Sequence, residues 1–374
     1  MPDEGRRSPG MRGTVSMKRV VRHTKRVVCP VTGGARSAAV VLVLVFVAGA
    51  CQVASAGAET LVRVGPVGVE PTSGAAAAAA NRPRLEIRPP VVEPGGLAVV
   101  VLDDPAARPA RVTAYFRGAQ IGFFSGGDGR PRALVGVDLA TPAGSYPLVV
   151  ELRPADQDAP APRREAGDRR GRDTQPLRVT EMLAVRAREF PREDLTVARR
   201  YVEPDARSLV RIRREQARLD AILAAASPRR LWRGAFVLPA EGPLGSSFGL
   251  RRFFNGEERS PHAGQDLRVP EGTPVVAAQS GRVVLASPLY FSGNTIVLDH
   301  GLGLFTLYFH LAAFRVREGA FVDRGTPLGR SGMTGRATGA HLHWAARLSR
   351  ARIDPLLLTR DLAAEEMDGR NVRD

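Results

Sequence analysis

The chain has six histidines: His23, His262, His300, His310, His341 and His343. Residues 261–266 (PHAGQD) contain an H-x-x-x-D pair, His262 and Asp266, and residues 341–343 (HLH) an H-x-H pair. In a strand, side chains two apart point the same way, so His341 and His343 can face one site. A catalytic zinc takes about three protein ligands and keeps a further position open. Two imidazoles and one carboxylate would hold such an ion and leave it net positive, as acidifying water requires. Four candidates for three places leave one residue over, and a peptide hydrolase has work for it. Its attacking water needs a base, and its tetrahedral oxyanion needs a donor. His310, within residues 307–311 (LYFHL), is a further candidate at a strand edge. His300, in the run Asp299-His300-Gly301, reads as a turn residue. Neither pair means much alone; their co-occurrence with His310 in one stretch of about 80 residues is the signal.

Composition narrows the ligand chemistry. The two cysteines, Cys29 and Cys51, both lie near the N-terminus. Later domains therefore have neither a disulfide nor a thiolate site, and a metal must use histidine and carboxylate. A length of 374 residues suits two modest domains with a leader and linkers. With 44% hydrophobic residues there is enough for real cores, whereas two Trp and five Tyr make no large aromatic binding platform. Of the net charge of +16, residues 1–56 carry +7, and after Lys25 every basic residue is arginine. A basic surface could favour an anionic partner. No nucleic-acid-binding motif accompanies it, so no nucleic-acid partner is expected and a solvated Arg-rich surface is the reading.

The address lies in residues 1–56. A basic stretch precedes the apolar run 38–50 (AAVVLVLVFVAGA), too short for a membrane span but suited to a secretory signal, with Ala54-Ser55-Ala56 as a cleavage site. Ala48-Gly49-Ala50-Cys51 weakly resembles a lipoprotein signal, which would lipidate Cys51, and an uncleaved anchor is the third option. Each predicts export to the periplasm or cell envelope, with membrane contact only through the leader or a lipid.

These groups need elements to hold them. Residues 57–83, rich in Gly, Pro and Ala, read as a linker. Residues 84–200 contain short apolar or alternating runs separated by Gly/Pro turns, which predicts an immunoglobulin-like β-sandwich with a polar loop over 154–175. No catalytic constellation occurs there, so this domain is expected to be a spacer or to dock an envelope partner. Residues 204–227 predict a connecting helix with Leu209, Ile212, Leu219, Ile222 and Leu223 on one face. From 236 to 358 strand patterns with Gly turns return, and 359–374 forms a tail. The fold class is therefore mainly β.

Residues 236–358 resemble the lysostaphin/LytM-type zinc metallopeptidases. The likeness runs in order through residues 246–251 (SSFGLR), 270–275 (PEGTPV), 278–283 (AQSGRV), 293–301 (GNTIVLDHG), 306–311 (TLYFHL) and 335–343 (GRATGAHLH). The resemblance implies an antiparallel β catalytic domain and one Zn2+ per chain. His262, Asp266 and His343 would be its ligands and His310 and His341 the catalytic pair. It implies an endopeptidase acting on peptidoglycan stem or cross-link peptides, with D-alanyl–meso-diaminopimelate as the expected bond and glycine bridges as the lesser alternative. Some relatives have lost ligands and activate other wall hydrolases without cutting; all five positions are present here. Two departures stand out: Ala345 where the family often has Glu, and Ala312 where it often has Ser.

Overall fold

The computed structural model describes residues 82–104, 110–154, 175–360 and 362. The leader with Cys51, the linker ahead of residue 82, nearly all of the loop 154–175 and most of the tail lie outside the described residues.

Two sheets face each other over residues 84–185. One has the order β1 (Arg84–Arg88), β3 (Leu97–Asp103), β7 (Pro131–Gly136) and β6 (Phe124–Ser125). The other has the order β2 (Val91–Val92), β9 (Leu177–Val185), β8 (Gly144–Pro154), β4 (Ala110–Phe116) and β5 (Ala119–Gly122). Strands β8 and β9 are antiparallel, with Leu152 opposite Leu177. Ala98, Val100 and Leu102 of β3 meet Ala114, Phe116, Leu148, Val150 and Leu183 in a core between the sheets.

β3 explains how this sandwich joins the rest of the chain. Its sequence, LAVVVLD, is apolar at every position but the last, and both its faces are buried. A strand buried on both sides reads as a continuous apolar run rather than an alternation. The alternate set, Leu97, Val99 and Val101, enters a second core with Trp232, Phe236, Tyr308 and Trp344. Asp138 adds a polar tie. It pairs with Arg352 at 2.6 Å and accepts from the Arg352 backbone N–H at 2.9 Å.

The second half is built on a seven-stranded sheet. Its order is β13 (Gln265–Leu267), β21 (Leu342–Leu348), β17 (Leu304–Leu311), β16 (Gly293–Gly301), β15 (Gly281–Leu289) and β19 (Phe321–Val322), with β22 (Ala351–Ile353) also paired to β21. A small sheet of β14 (Pro274–Val276), β20 (Pro327–Arg330) and β18 (Ala313–Phe314) packs beside it. A third joins β10 (Arg192–Leu195), β11 (Arg251–Phe254) and β12 (Glu257–Glu258). Residues 192–195, read from sequence as the end of the sandwich, thus pair parallel with a strand of the C-terminal half.

Helix α1 (Ala206–Ala224) starts at Asp205, whose carboxylate accepts from the Ser208 N–H at 2.7 Å. Leu219, Ile222 and Leu223 pack on Leu285, Val297, Phe305, Leu307 and Ala345, across one face of the large sheet. The predicted apolar face is used only in its C-terminal half, since Leu209 stays 41% exposed. Buried Ala345 lies beneath that helix, where a longer side chain would need room.

Candidate metal centre

The site lies on the same sheet face that α1 covers, beyond the helix. In β21 the alternation sends Leu342, Trp344 and Ala346 to the core and His343 to the opposite face. Antiparallel register sets Asp266 of β13 directly across from His343, and Phe309 of β17 across on its other side. Directly opposed residues share a face. Phe309 accordingly stacks on the His343 ring, with centroids 5.0 Å apart and planes 3° from parallel. His262 arrives from the loop before β13, held by its own N–H to the Leu250 carbonyl.

His310 follows Phe309 and by strict alternation would face away. Instead its backbone has φ +62°, the left-handed region that a non-glycine residue seldom adopts. The β16–β17 register slips at this place, between Asn294 and Ile296. This bulge re-aims the side chain. The His310 ring comes to 4.8 Å from that of His341 and 6.1 Å from that of His343. All five residues singled out from sequence are therefore brought together.

Three atoms converge most tightly. His262 Nε2, Asp266 Oδ1 and His343 Nδ1 lie 2.8–3.0 Å from one another, and all three residues are buried. Protons decide what this cluster wants. His262 Nδ1 is 2.7 Å from the Ser247 carbonyl, which only accepts, so Nδ1 carries the hydrogen and Nε2 is the atom turned to the cluster. A carboxylate oxygen is likewise an acceptor. Burial pushes His343 down to about 3, so its imidazole is neutral at neutral pH. Burial alone would raise the Asp266 carboxyl, but the two imidazoles against it hold it well below the carboxylate range. Two imidazole nitrogens and one carboxylate oxygen thus meet at a point, an arrangement that a cation stabilises. The residues fit a divalent metal, and ligands in these protonation states are those that metal binding demands.

The remaining pair is oriented in the same way. His310 Nδ1 donates to the Thr334 carbonyl at 2.7 Å and His341 Nδ1 to the Gly339 carbonyl at 2.8 Å, leaving each Nε2 as the basic atom. The main chain thus sets the His310 ring, and it does so although Ala312 lacks a hydroxyl. Burial, helped by the neighbouring His341, pushes His310 down to about 4, which keeps it neutral. His341 Nε2 lies 3.9 Å from Asp266 Oδ1, which joins the pair to the ligand cluster. A cavity of about 190 Å³ borders Asp266, His310 and His341, and is also lined by Leu195, at the end of β10, and Val197 just after it.

Two supporting residues escaped the sequence reading. Arg252 donates to Asp266 Oδ2 at 3.1 Å, and Glu193 Oε2 accepts from Arg252 at 2.9 Å. Glu193 also accepts from the Ser246 hydroxyl. Such outer contacts hold a ligand carboxylate in orientation. Arg252 directly follows the 246–251 motif, but nothing in the sequence marks Glu193, 59 residues away. His300 is a correction of another kind. It lies within β16 rather than in a turn and is fully buried. Nδ1 donates to the Ser280 carbonyl and Nε2 accepts from Thr306 Oγ1, so its role is in the core.

Comparison with known proteins agrees with this geometry. The profile of peptidase family M23 matches residues 260–355. The peptidoglycan DD-endopeptidase ShyA of Vibrio cholerae is 41% identical over 102 residues, covering 27% of this chain and 24% of its own. The DD-carboxypeptidase/endopeptidase Mpg of Neisseria meningitidis is 40% identical over 95 residues, covering 25% of this chain and 22% of its own. The chain thus spans about a quarter of the length of these curated relatives. A solved M23 structure from Pseudomonas aeruginosa extends the likeness. It is 31% identical, covers 72% of this chain and 95% of its own, and has a TM-score of 0.54.

Proposed function

Because this chain belongs to peptidase family M23, we propose that it is a zinc-dependent endopeptidase that hydrolyses peptide bonds of peptidoglycan. The observation that carries the reading is the convergence of His262, Asp266 and His343 beside two histidines whose tautomers are fixed by carbonyls. A nitrogen and oxygen donor set without thiolate suits zinc. When bound, zinc supplies Lewis-acid polarisation of the scissile carbonyl and acidifies water. The chain's own residues do the rest. One of His310 and His341 takes the proton of the attacking water at Nε2 and passes it to the leaving amine. The other stabilises the oxyanion by donating from Nε2, which requires that ring to carry a second proton.

The D-alanyl–meso-diaminopimelate bond is the substrate we favour, supported by relatives named DD-endopeptidase. The basic leader and apolar run 38–50 support a periplasmic or envelope location. A docking role for the sandwich domain toward an envelope partner belongs to the same proposal. The deciding experiment is mass spectrometry of purified sacculi digested with zinc-loaded protein, beside His343→Ala. New peptide termini with the wild type alone, at a D-Ala–diaminopimelate junction, are expected. Identical products from both proteins would leave only a non-enzymatic role.

A further inference from the structure

The cavity beside His310 and His341 is also lined by Arg336, a residue so far given no role. Its guanidinium lies between two aromatic rings, 4.3 Å from the Phe254 centroid and 4.7 Å from that of Phe291. The backbone fixes the same position, since the Arg336 N–H donates to the Phe291 carbonyl at 2.8 Å. Two other guanidiniums are nearby, and both are engaged. Arg252 pairs with Glu193 and Asp266, while Arg259 pairs with Glu257 and donates to the Val202 carbonyl. Among the described residues no carboxylate lies within ion-pair distance of Arg336. Burial and the neighbouring arginines lower it to about 10, so it remains a cation at neutral pH.

A cation withdrawn from water without a counter-charge is costly. Two ring faces offset only part of that cost. What they do provide is orientation, because a guanidinium held between rings has little rotamer freedom left to lose. Its planar fork of donors matches a carboxylate. The loop that carries it also carries the Thr334 and Gly339 carbonyls that set the two catalytic rings. An anion held by Arg336 would therefore be placed in register with the reacting bond.

We propose that Arg336 binds a carboxylate of the substrate peptide close to the scissile bond, and so selects for substrates that carry one there. This rests on the peptidase reading. The carboxylate has two sources in such a peptide: a free C-terminus just past the cut bond, or the side-chain carboxylate of the diamino acid.

Three synthetic peptides containing the D-alanyl–diaminopimelate bond separate these sources: one with both carboxylates free, one C-terminal amide and one side-chain amide. Hydrolysis by the zinc-loaded full-length protein is expected to fall about 10- to 100-fold in kcat/KM on amidation of the recognised carboxylate. Loss on the C-terminal amide assigns a carboxypeptidase-type substrate, and loss on the side-chain amide an internal one. Arg336→Met should cut all three at one low rate, with Arg336→Lys retaining part of the discrimination. Equal wild-type rates on all three peptides overturn the assignment while leaving the peptidase reading intact. So does Arg336→Met that discriminates as the wild type does. The wild-type arm needs no variant to fold. Failure of the wild type to cut any peptide or sacculus defeats the peptidase reading, and this inference with it.

Discussion

His310 is held where chemistry needs it at a conformational cost. A left-handed backbone at a residue with a Cβ costs of the order of 1 kcal/mol, and φ is +62° there. Asparagine tolerates that region better than most residues. His310→Asn should therefore keep the melting temperature within a few degrees of wild type, while kcat/KM drops by about 100-fold or more with the basic Nε2 gone. Thermal unfolding and sacculus digestion measured on the same preparation check both halves. At His343 the expectation is different, because the residue is proposed as a metal ligand. His343→Ala should reduce bound zinc from about one ion per chain to near none, read by elemental analysis after dialysis, and abolish hydrolysis. Both residues were legible in the sequence, one through the H-x-H spacing and the other through its motif. The backbone device that aims His310 was not, since it depends on where β16 and β17 slip.

At the scale of elements, the proposed ligands depend on neighbours outside the cluster. Gly264 is one. A Cβ there would lie 2.6 Å from His343 Nε2 and 2.6 Å from the Trp344 carbonyl, closer than real contacts allow. Gly264→Ala must shift β21 or the His343 ring, so zinc affinity should fall without loss of any ligand, as competition with a chromogenic chelator would show. Glu193 on β10 is another. Its carboxylate holds Arg252, which holds Asp266. Glu193→Gln is expected to weaken zinc binding by about 10-fold or more, the usual scale for outer-contact changes. Unchanged chelator competition would refute the relay. Gly264 sits inside a recognisable motif and could be suspected early. Glu193 could not, because a parallel pairing between the sandwich exit and β11 leaves no periodic mark in either segment.

For the whole molecule, the sandwich and the peptidase half share a core through the two buried faces of β3. The Asp138–Arg352 pair closes that junction, and its hydrogen bonds hold Asp138 down to about 2 against the opposing effect of burial. Asp138→Asn should lower stability by about 1–2 kcal/mol and the melting temperature by about 2–4 °C, with zinc content unchanged. Acid stability has a second source in the shared core. Burial pushes His300 down to about 4, whereas an unfolded chain takes up that proton near 6.5. Folding therefore favours the neutral ring, so this stabilisation is intact above pH 6.5 and is lost as pH falls from 6.5 toward 4. Linkage puts the loss at roughly 3 kcal/mol. Urea unfolding at pH 7 and pH 5 should show a smaller difference for His300→Gln than for wild type.

The amino-acid sequence alone established the β character and placed the candidate histidine and carboxylate residues. A histidine pair in strand period, a cysteine-free body and turn-punctuated apolar runs are local properties, set by side-chain type and strand sterics. β3 is an unbroken apolar run in that sequence, but what its second face meets is decided only by the packing. Tertiary structure decided which distant groups share a point. His262 and His343 meet across 81 residues through the β13–β21 register, and Glu193 reaches Arg252 across 59. The helix spends only half its apolar face, and Arg336 is left as a cation between rings. Register, bulges and packing between halves are long-range choices, selected by the free energy of the assembled core rather than by any segment's own preference.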